Sequence, residues 1–143
     1  MINETRKALF SSQNMTWRTP NETYKLLDKE FKFDFDPCPP NPTFNGLQVE
    51  WGNCNFVNPP YGREVSQWVK KGYTEYLKGK TVVFLLASRT GTSWFQDYCL
   101  PYASEIRFIR GRLKFGGSKN SAPFDSVIVI FNSEKSKDAS NTN

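Results

Sequence analysis

Asn58, Pro59, Pro60 and Tyr61 stand in a row within "NCNFVNPPYGREVSQW". Proline brings a carbonyl acceptor and no N–H. The carbonyls of Asn58 and Pro59 are therefore held stiffly, the Asn58 side chain adds another acceptor, and Tyr61 adds a flat ring. Together they suit a planar group that carries an NH₂, such as the exocyclic amine of adenine or cytosine. That amine is a poor nucleophile because its lone pair is drawn into the ring. Two acceptors on its hydrogens favour the pyramidal form, whose lone pair can point at an electrophile; this is orientation plus electrostatic preorganisation. The bland alternative is a rigid turn. The tetrad's context favours a site: it ends a short apolar strand and opens an amphipathic helix.

Any chemistry here must work without imidazole, because the chain contains no histidine. That excludes Ser-His-Asp and Cys-His catalysis and most transition-metal sites. Cys38, Cys54 and Cys99 lack paired spacing, so neither a disulfide framework nor a zinc site is expected, and no metal is assigned. Asp34 and Asp36 share a strand face, but nothing nearby suggests hydrolysis, and Asp34 reads as a solvated strand residue. Ser88, Arg89 and Thr90, in "ASRTGTSW", lie where they would line a substrate; equally, with Gly91 and Thr92, they make a capped helix start. From Arg107 to Lys119 the basic residues are Arg107, Arg110, Arg112, Lys114 and Lys119, with no acid among them. Arg110, Arg112 and Lys114 are the candidate phosphate contacts, although Lys/Arg-rich edge strands also look like this. Trp51 could wall the pocket or pack the core; Trp68 and Trp94 read as core.

The elements that must position these residues follow from periodicity. "TPNETYKLLDKEF" reads as a helix with Thr19 as cap, Pro20 in the first turn, and Tyr24, Leu27 and Phe31 on one face. "FKFDFD" alternates and reads as a strand ending at Pro37. "NCNFV" is a short strand. "EVSQWVKKGYTEYLKG" is a helix with Val65, Trp68, Val69, Tyr73, Tyr76 and Leu77 as its apolar stripe and Gly79 as its stop. "TVVFLLA" is a strand covered on both faces. "TSWFQDYCL" is a short helix closed by Pro101, and "EIRFI" and "DSVIVIF" are strands. Ile106 and Phe108 have one parity and Leu113 and Phe115 the other, so a bend near Arg110–Gly111 would let both pairs face the core.

This order predicts an α/β fold with a compact, mainly parallel, Rossmann-like sheet and an antiparallel C-terminal strand. Ligands of such sheets bind beyond the carboxyl ends of the strands, where "DPCP" (from Asp36) and the Asn58–Tyr61 tetrad form one crevice. With 143 residues and 38% apolar content the chain suits one domain, expected over 16–132, with a mobile lead-in at 1–15 and a disordered tail at 133–143. No run approaches the ~18 apolar residues of a membrane span. A soluble cytoplasmic protein is expected, without membrane contact. A net charge of +5 is compatible with nucleic acid.

The sequence resembles the compact phage-type DNA N6-adenine methyltransferases. "NPPY" resembles the tetrad of S-adenosylmethionine-dependent amino-methyltransferases. The ordered series "WRTP", "FDFDPC", "WGNCNFVNPPYG", "WVKKG", "VVFLLA", "WF", "IRFIRGRLKF" and "APFDS" carries the likeness from about Trp17 to Phe131. The resemblance implies S-adenosylmethionine as cofactor and double-stranded DNA as partner, inside a host cell if phage-encoded. It implies that Asn58, Pro59, Pro60 and Tyr61 hold the adenine, whose amine attacks the sulfonium methyl in line. Asp36, Pro37 and Cys38 match the start of the cofactor motif, and Thr19 and Pro20 the element beside the cofactor's methionine part. Trp17 either covers the cofactor's adenine or closes the core.

One departure stands out. The usual cofactor loop, Asp-Pro-x-x-Gly-x-Gly, uses glycines for close backbone approach; "DPCPPNP" has none before Gly46. Eighteen residues separate Asp36 from Asn55, too few for the usual two further strand–helix units and their ribose-binding acid. The cofactor is then held differently, or Glu50 or Asn41 substitutes, or binding is weak. A duplex base must be flipped to reach the tetrad, with no spare segment for a separate recognition domain; modest specificity or a homodimer is expected. N4-cytosine or RNA amine methylation, and a catalytically inactive nucleic-acid-binding protein on this scaffold, stay open.

Overall fold

A computed structural model describes residues 18–115 and 121–133. The expectations for residues 1–15, Trp17, Lys119 and the tail beyond 133 lie outside the described residues. Ser133, expected to open the tail, donates its hydroxyl to the Gly79 carbonyl at 2.7 Å. The described order is α1 (Asn21–Phe31), β1 (Cys54–Val57), α2 (Val65–Leu77), β2 (Thr81–Ala87), α3 (a π-helical turn Phe95–Cys99 running into Leu100–Tyr102), β3 (Glu105–Phe108) and β4 (Ser126–Phe131). Among the described residues no helix is long and apolar enough to cross a membrane, and no His/Cys/Asp/Glu cluster could hold a metal ion.

The strands form one open sheet in the order β1-β2-β4-β3. β1 and β2 pair in parallel, whereas β4 is antiparallel to both β2 and β3. The C-terminal strand is antiparallel as expected, but the sheet is not mainly parallel, because β4 lies inside it rather than at its edge. Burial explains this placement. "SVIVIF" is buried along its whole length, whereas "EIRF" carries Glu105 and Arg107 and takes the edge. β1, β2 and β3 still point the same way, so their carboxyl ends share one pole.

Two helices cover the faces. Tyr24 of α1 meets Phe56 edge-on at 5.2 Å, on one face. On the other, Gly72 of α2 lies so close to Phe84 that any Cβ there would overlap the ring. The stripe of α2 differs from the expected one: Val65, Trp68, Val69, Gly72 and Glu75 are buried, while Leu77 is exposed. Close seating at Gly72 sets which face points inward. Gly79 ends the helix region at φ +96, a left-handed conformation that glycine adopts without strain.

Three other expectations change. "FKFDFD" is not a strand: Phe31 closes α1, Lys32 caps it at φ 58, and only Phe35 bridges to Asn55. Its N–H groups at Asp34 and Phe35 both reach the Cys54 carbonyl, so the segment follows β1 without forming a ladder. Pro101 does not close α3, which runs on to Tyr102. The Leu100 N–H reaches the Phe95 carbonyl across a wide π turn, relieving the clash that a proline makes with a regular preceding turn. Phe108 is 65% exposed instead of facing the core, since it sits on the edge strand. The bend itself is present: Gly111 has φ +75 and Phe115 is buried.

Candidate functional site

Three loops meet at the pole where the co-directional strands end. The first follows Phe35, the second follows Val57, and the third follows Ala87. The segment entering β4 joins them, because Ser126 lies opposite Ala87 in the ladder. The stretch leaving β3 arrives there too, since Phe108 pairs with Val127.

A first cavity of about 320 Å³ opens between the start of α1, the Asp36 loop and the tetrad. Arg18, Thr19, Tyr24, Asp36, Cys38, Phe56 and Asn58 are among its walls. The expected cap role of Thr19 gives way here. Pro20 takes the N-cap position without a side-chain cap bond, and the Thr19 hydroxyl accepts from Asn58 Nδ2 at 3.1 Å. A capping residue is thus redirected to the site. Asp36 Oδ1 accepts from the Cys38 N–H at 2.9 Å, which folds the loop back on itself. Burial raises the Asp36 carboxyl above its ordinary value, against the pull of that bond. The Cys38 thiol is pushed up to about 12 by burial and by the carboxylates of Asp36 and Glu64, so it stays neutral.

A second cavity of about 620 Å³ lies beyond Tyr61, with Arg63, Ala87, Arg89, Thr92, Trp94 and Phe124 in its walls. The Tyr61 hydroxyl donates to Asn58 Oδ1 at 3.1 Å, so the tetrad links the two cavities. Burial raises the Tyr61 phenol well above its ordinary value and keeps it a donor. Tyr61 is only 7% exposed. Phe124 meets it edge-on at 4.9 Å and Phe115 at 6.2 Å, and both Tyr61 and Phe124 line the second cavity. Gly62 follows at φ +118, which turns the chain sharply into α2.

Thr19, Asp36, Cys38 and Asn58 therefore come together, with Pro20 and Pro37 beside them; Pro37 is buried and Pro59 with it. Of the third loop only Arg89 and Thr92 line the second cavity. Ser88 donates its N–H to Asp125, and the Thr90 carbonyl accepts from Gln96. Arg110, Arg112 and Lys114 are exposed at the same pole. Arg107 is not available to a ligand in the same way: it grips Glu30 with both terminal nitrogens at 2.7 and 2.6 Å and also binds Glu105. Trp51 is core, stacked on Trp68 with its indole N–H on the Gly46 carbonyl. Trp94 is buried and also walls the second cavity. Glu50 pairs with Lys78 and Lys80 at the opposite pole, and Asn41 does not line the first cavity, so neither supplies an acid there.

Sequence reasoning missed Arg18, Tyr24 and Phe56 in the first cavity, and Arg63, Trp94 and Phe124 in the second. Tyr24 had a usable signal: its hydroxyl tip is polar on an otherwise apolar helix face. Phe124 lies in "APFDS", a segment of the family likeness, but nothing local ties it to Tyr61, 63 positions away in the chain.

The chain resembles known proteins over most of its length. A model of the DNA N-6-adenine-methyltransferase (Dam) family matches residues 7–143. The DNA N-6-adenine-methyltransferase of Haemophilus phage HP1 (strain HP1c1) is 30% identical over 134 residues, covering 80% of this chain and 77% of that protein. No solved structure matches the chain significantly. With a family match spanning nearly the whole sequence, the chain belongs to the DNA N-6-adenine-methyltransferase (Dam) family.

Proposed function

We propose that this protein methylates the N6 amine of adenine in double-stranded DNA with S-adenosylmethionine, and that the first cavity takes the reacting end of the cofactor while the second takes the flipped base. The observation that carries the reading is Asn58. Its side chain lines the first cavity and receives the hydroxyl of Tyr61, a wall of the second.

The residues present fit the cofactor. Asp36 is a half-buried carboxylate whose charge a cation in the cavity would stabilise, and Arg18 at the same wall suits a carboxylate. When bound, S-adenosylmethionine supplies a methyl group on a positively charged sulfur. The chain's part is to orient the nucleophile. Asn58 Oδ1 and the Pro59 carbonyl accept the amine hydrogens and turn the lone pair toward the first cavity. Thr19 and Tyr61 hold the Asn58 amide from its two ends, fixing which end accepts. Tyr61 and Phe124 give the base aromatic surface, worth about 1–3 kcal/mol for one stacked base. Arg63 and Arg89 have no ion-pair partner among the described residues and flank the mouth, with Arg110, Arg112 and Lys114 beyond as backbone contacts. The sheet is read as a shortened Rossmann-like methyltransferase sheet. Its co-directional β1, β2 and β3, with the loops at their carboxyl ends, support this.

The test is transfer of a labelled methyl group to unmethylated DNA, followed by digestion to nucleosides. Label in N6-methyladenine is expected. Label in N4-methylcytosine, or DNA binding without any label, overturns the reading. Asn58→Ala should lower turnover by about 10²–10³-fold, the scale of losing one preorganised polar group, while duplex affinity stays near wild type. Near wild-type turnover in that variant sinks the mechanism.

A further inference from the structure

A third cavity of about 280 Å³ lies on the other side of the Pro37–Cys38 turn. Cys38 lines both this cavity and the first one. Its walls include two flat apolar surfaces, the ring of Phe44 and the ring of Pro60, with Leu47 beside them. Phe44 is held in place by stacking on Phe35 at 5.7 Å and 24°. Gly46 lets the turn close: a Cβ there would overlap the Pro37 carbonyl and lie 2.6 Å from Trp68.

Two polar groups at this cavity lack protein partners. Trp68 is 5% exposed, and its buried indole N–H has no hydrogen-bond acceptor. A buried orphan donor costs about 1–3 kcal/mol, and Trp68 is one of the residues that line this cavity. Glu64 is exposed, lines the cavity, and has no ion-pair partner among the described residues. Placed just before α2, it could serve only to complement the helix dipole. That role does not require a cavity with a flat apolar floor beside it.

A purine riboside matches this set. Its ring fits between apolar flat walls, its ring nitrogens are acceptors, and its vicinal diol gives two donors to one carboxylate. We propose that the third cavity holds the adenosyl end of S-adenosylmethionine, with Glu64 accepting hydrogen bonds from the ribose hydroxyls and Phe44 and Pro60 packing the purine. The cofactor then passes over the small Cys38 side chain, from Glu64 on one side to Asp36 and Asn58 on the other. This inference rests on the cofactor reading above. It explains how a turn without the usual glycines and without a second-strand acid can hold the ligand: the acid comes from after the tetrad, and the relevant glycine is Gly46.

Calorimetry with S-adenosylhomocysteine and its 2′-deoxyribose analogue tests it without turnover. The wild type should prefer the ribose form by about 10-fold or more, the scale of a hydrogen bond to a charged group. Glu64→Gln should weaken S-adenosylhomocysteine by a similar factor and lose that preference, with an unchanged melting temperature. In labelled protein the Trp68 indole N–H resonance should shift on binding. If Glu64→Gln binds both ligands as the wild type does, the adenosyl assignment is overturned while the cofactor reading stands. If S-adenosylhomocysteine fails to bind the wild type at all, both fall.

Discussion

The two ends of the sheet use their charged groups in opposite ways. At the amino end of β2, Glu75 is fully buried and its carboxylate is met by three lysines and by Trp51, more distant in the chain. Lys71, Lys78 and Lys80 reach its carboxylate at 3.3, 2.9 and 2.6 Å, and the Trp51 N–H reaches it at 2.9 Å. Lys80 also donates to the Trp51 carbonyl. At the carboxyl end, Asp36, Glu64, Arg63 and Arg89 face cavities, and the described residues give them no opposite charge. The polar groups at one end complete each other; those at the other end are arranged around space. A saturated network holds structure, whereas an unsaturated one marks where a ligand's charges belong.

Substitutions that exchange these signatures would break the contrast. The largest effect is expected from Glu75→Ala. It leaves lysines around a buried void and should cost about 3–5 kcal/mol of stability, the range for breaking a buried ion pair. Chemical denaturation would measure this, and ligand affinity of the folded fraction should not change. Acid sharpens the same point. Burial alone would raise the Glu75 pKa, but the bonds from Lys78, Lys80, Trp51 and Lys71 hold it at about 2, below the ordinary 4.5. A depressed acid contributes stability above its unfolded value and loses it as pH falls through the folded one. Stability should therefore decline between about pH 4.5 and 2, and Glu75→Gln should flatten that slope.

At the other end the sign reverses. Asp36 is raised by burial, so its favourable contribution exists below its ordinary 3.8 and is lost as pH rises through the folded value. Asp36→Asn should raise the melting temperature of the ligand-free protein at neutral pH while weakening S-adenosylhomocysteine. A fall in both would show that Asp36 is structural. The smallest effect belongs to Arg112→Ala, which should weaken DNA uniformly across sequences and lower the salt slope by about 1. A titration of duplex binding against salt reads it directly.

What the sequence shows of this architecture depends on range. The tetrad and the fully buried β2 are local patterns found where the sequence puts them, and α2 is a helix as periodicity predicts, although its buried stripe is shifted to take in Gly72 and Glu75 and leaves Leu77 exposed. The saturated network at Glu75 was unreadable because its partners include Trp51 and Lys80, which no single period brings together with it. The failed strand at 31–36 has a local cause that outweighed alternation: Lys32 enters the left-handed region to end α1, and Asp28 Oδ1 accepts the Phe33 N–H. β4 was read correctly as a strand. Its position inside the sheet follows from the relative burial of two strands, which neither reveals alone. The first cavity could be foreseen from two loops, but its floor of Tyr24 and Phe56 required knowing that α1 folds back over β1.

The central seat of β4 has a further meaning for assembly. β3 pairs with β4 and β2 does the same, so among the described residues, 105–108 have no ladder partner until residues 126–131 arrive. A ribosome-bound chain that has emerged only through β3 can form the β1–β2 pair, but it cannot fix the basic stretch beside Tyr61. The mouth of the second cavity therefore depends on β4. A fragment ending before Ser126 should therefore give helices and a parallel pair without the mouth of the second cavity.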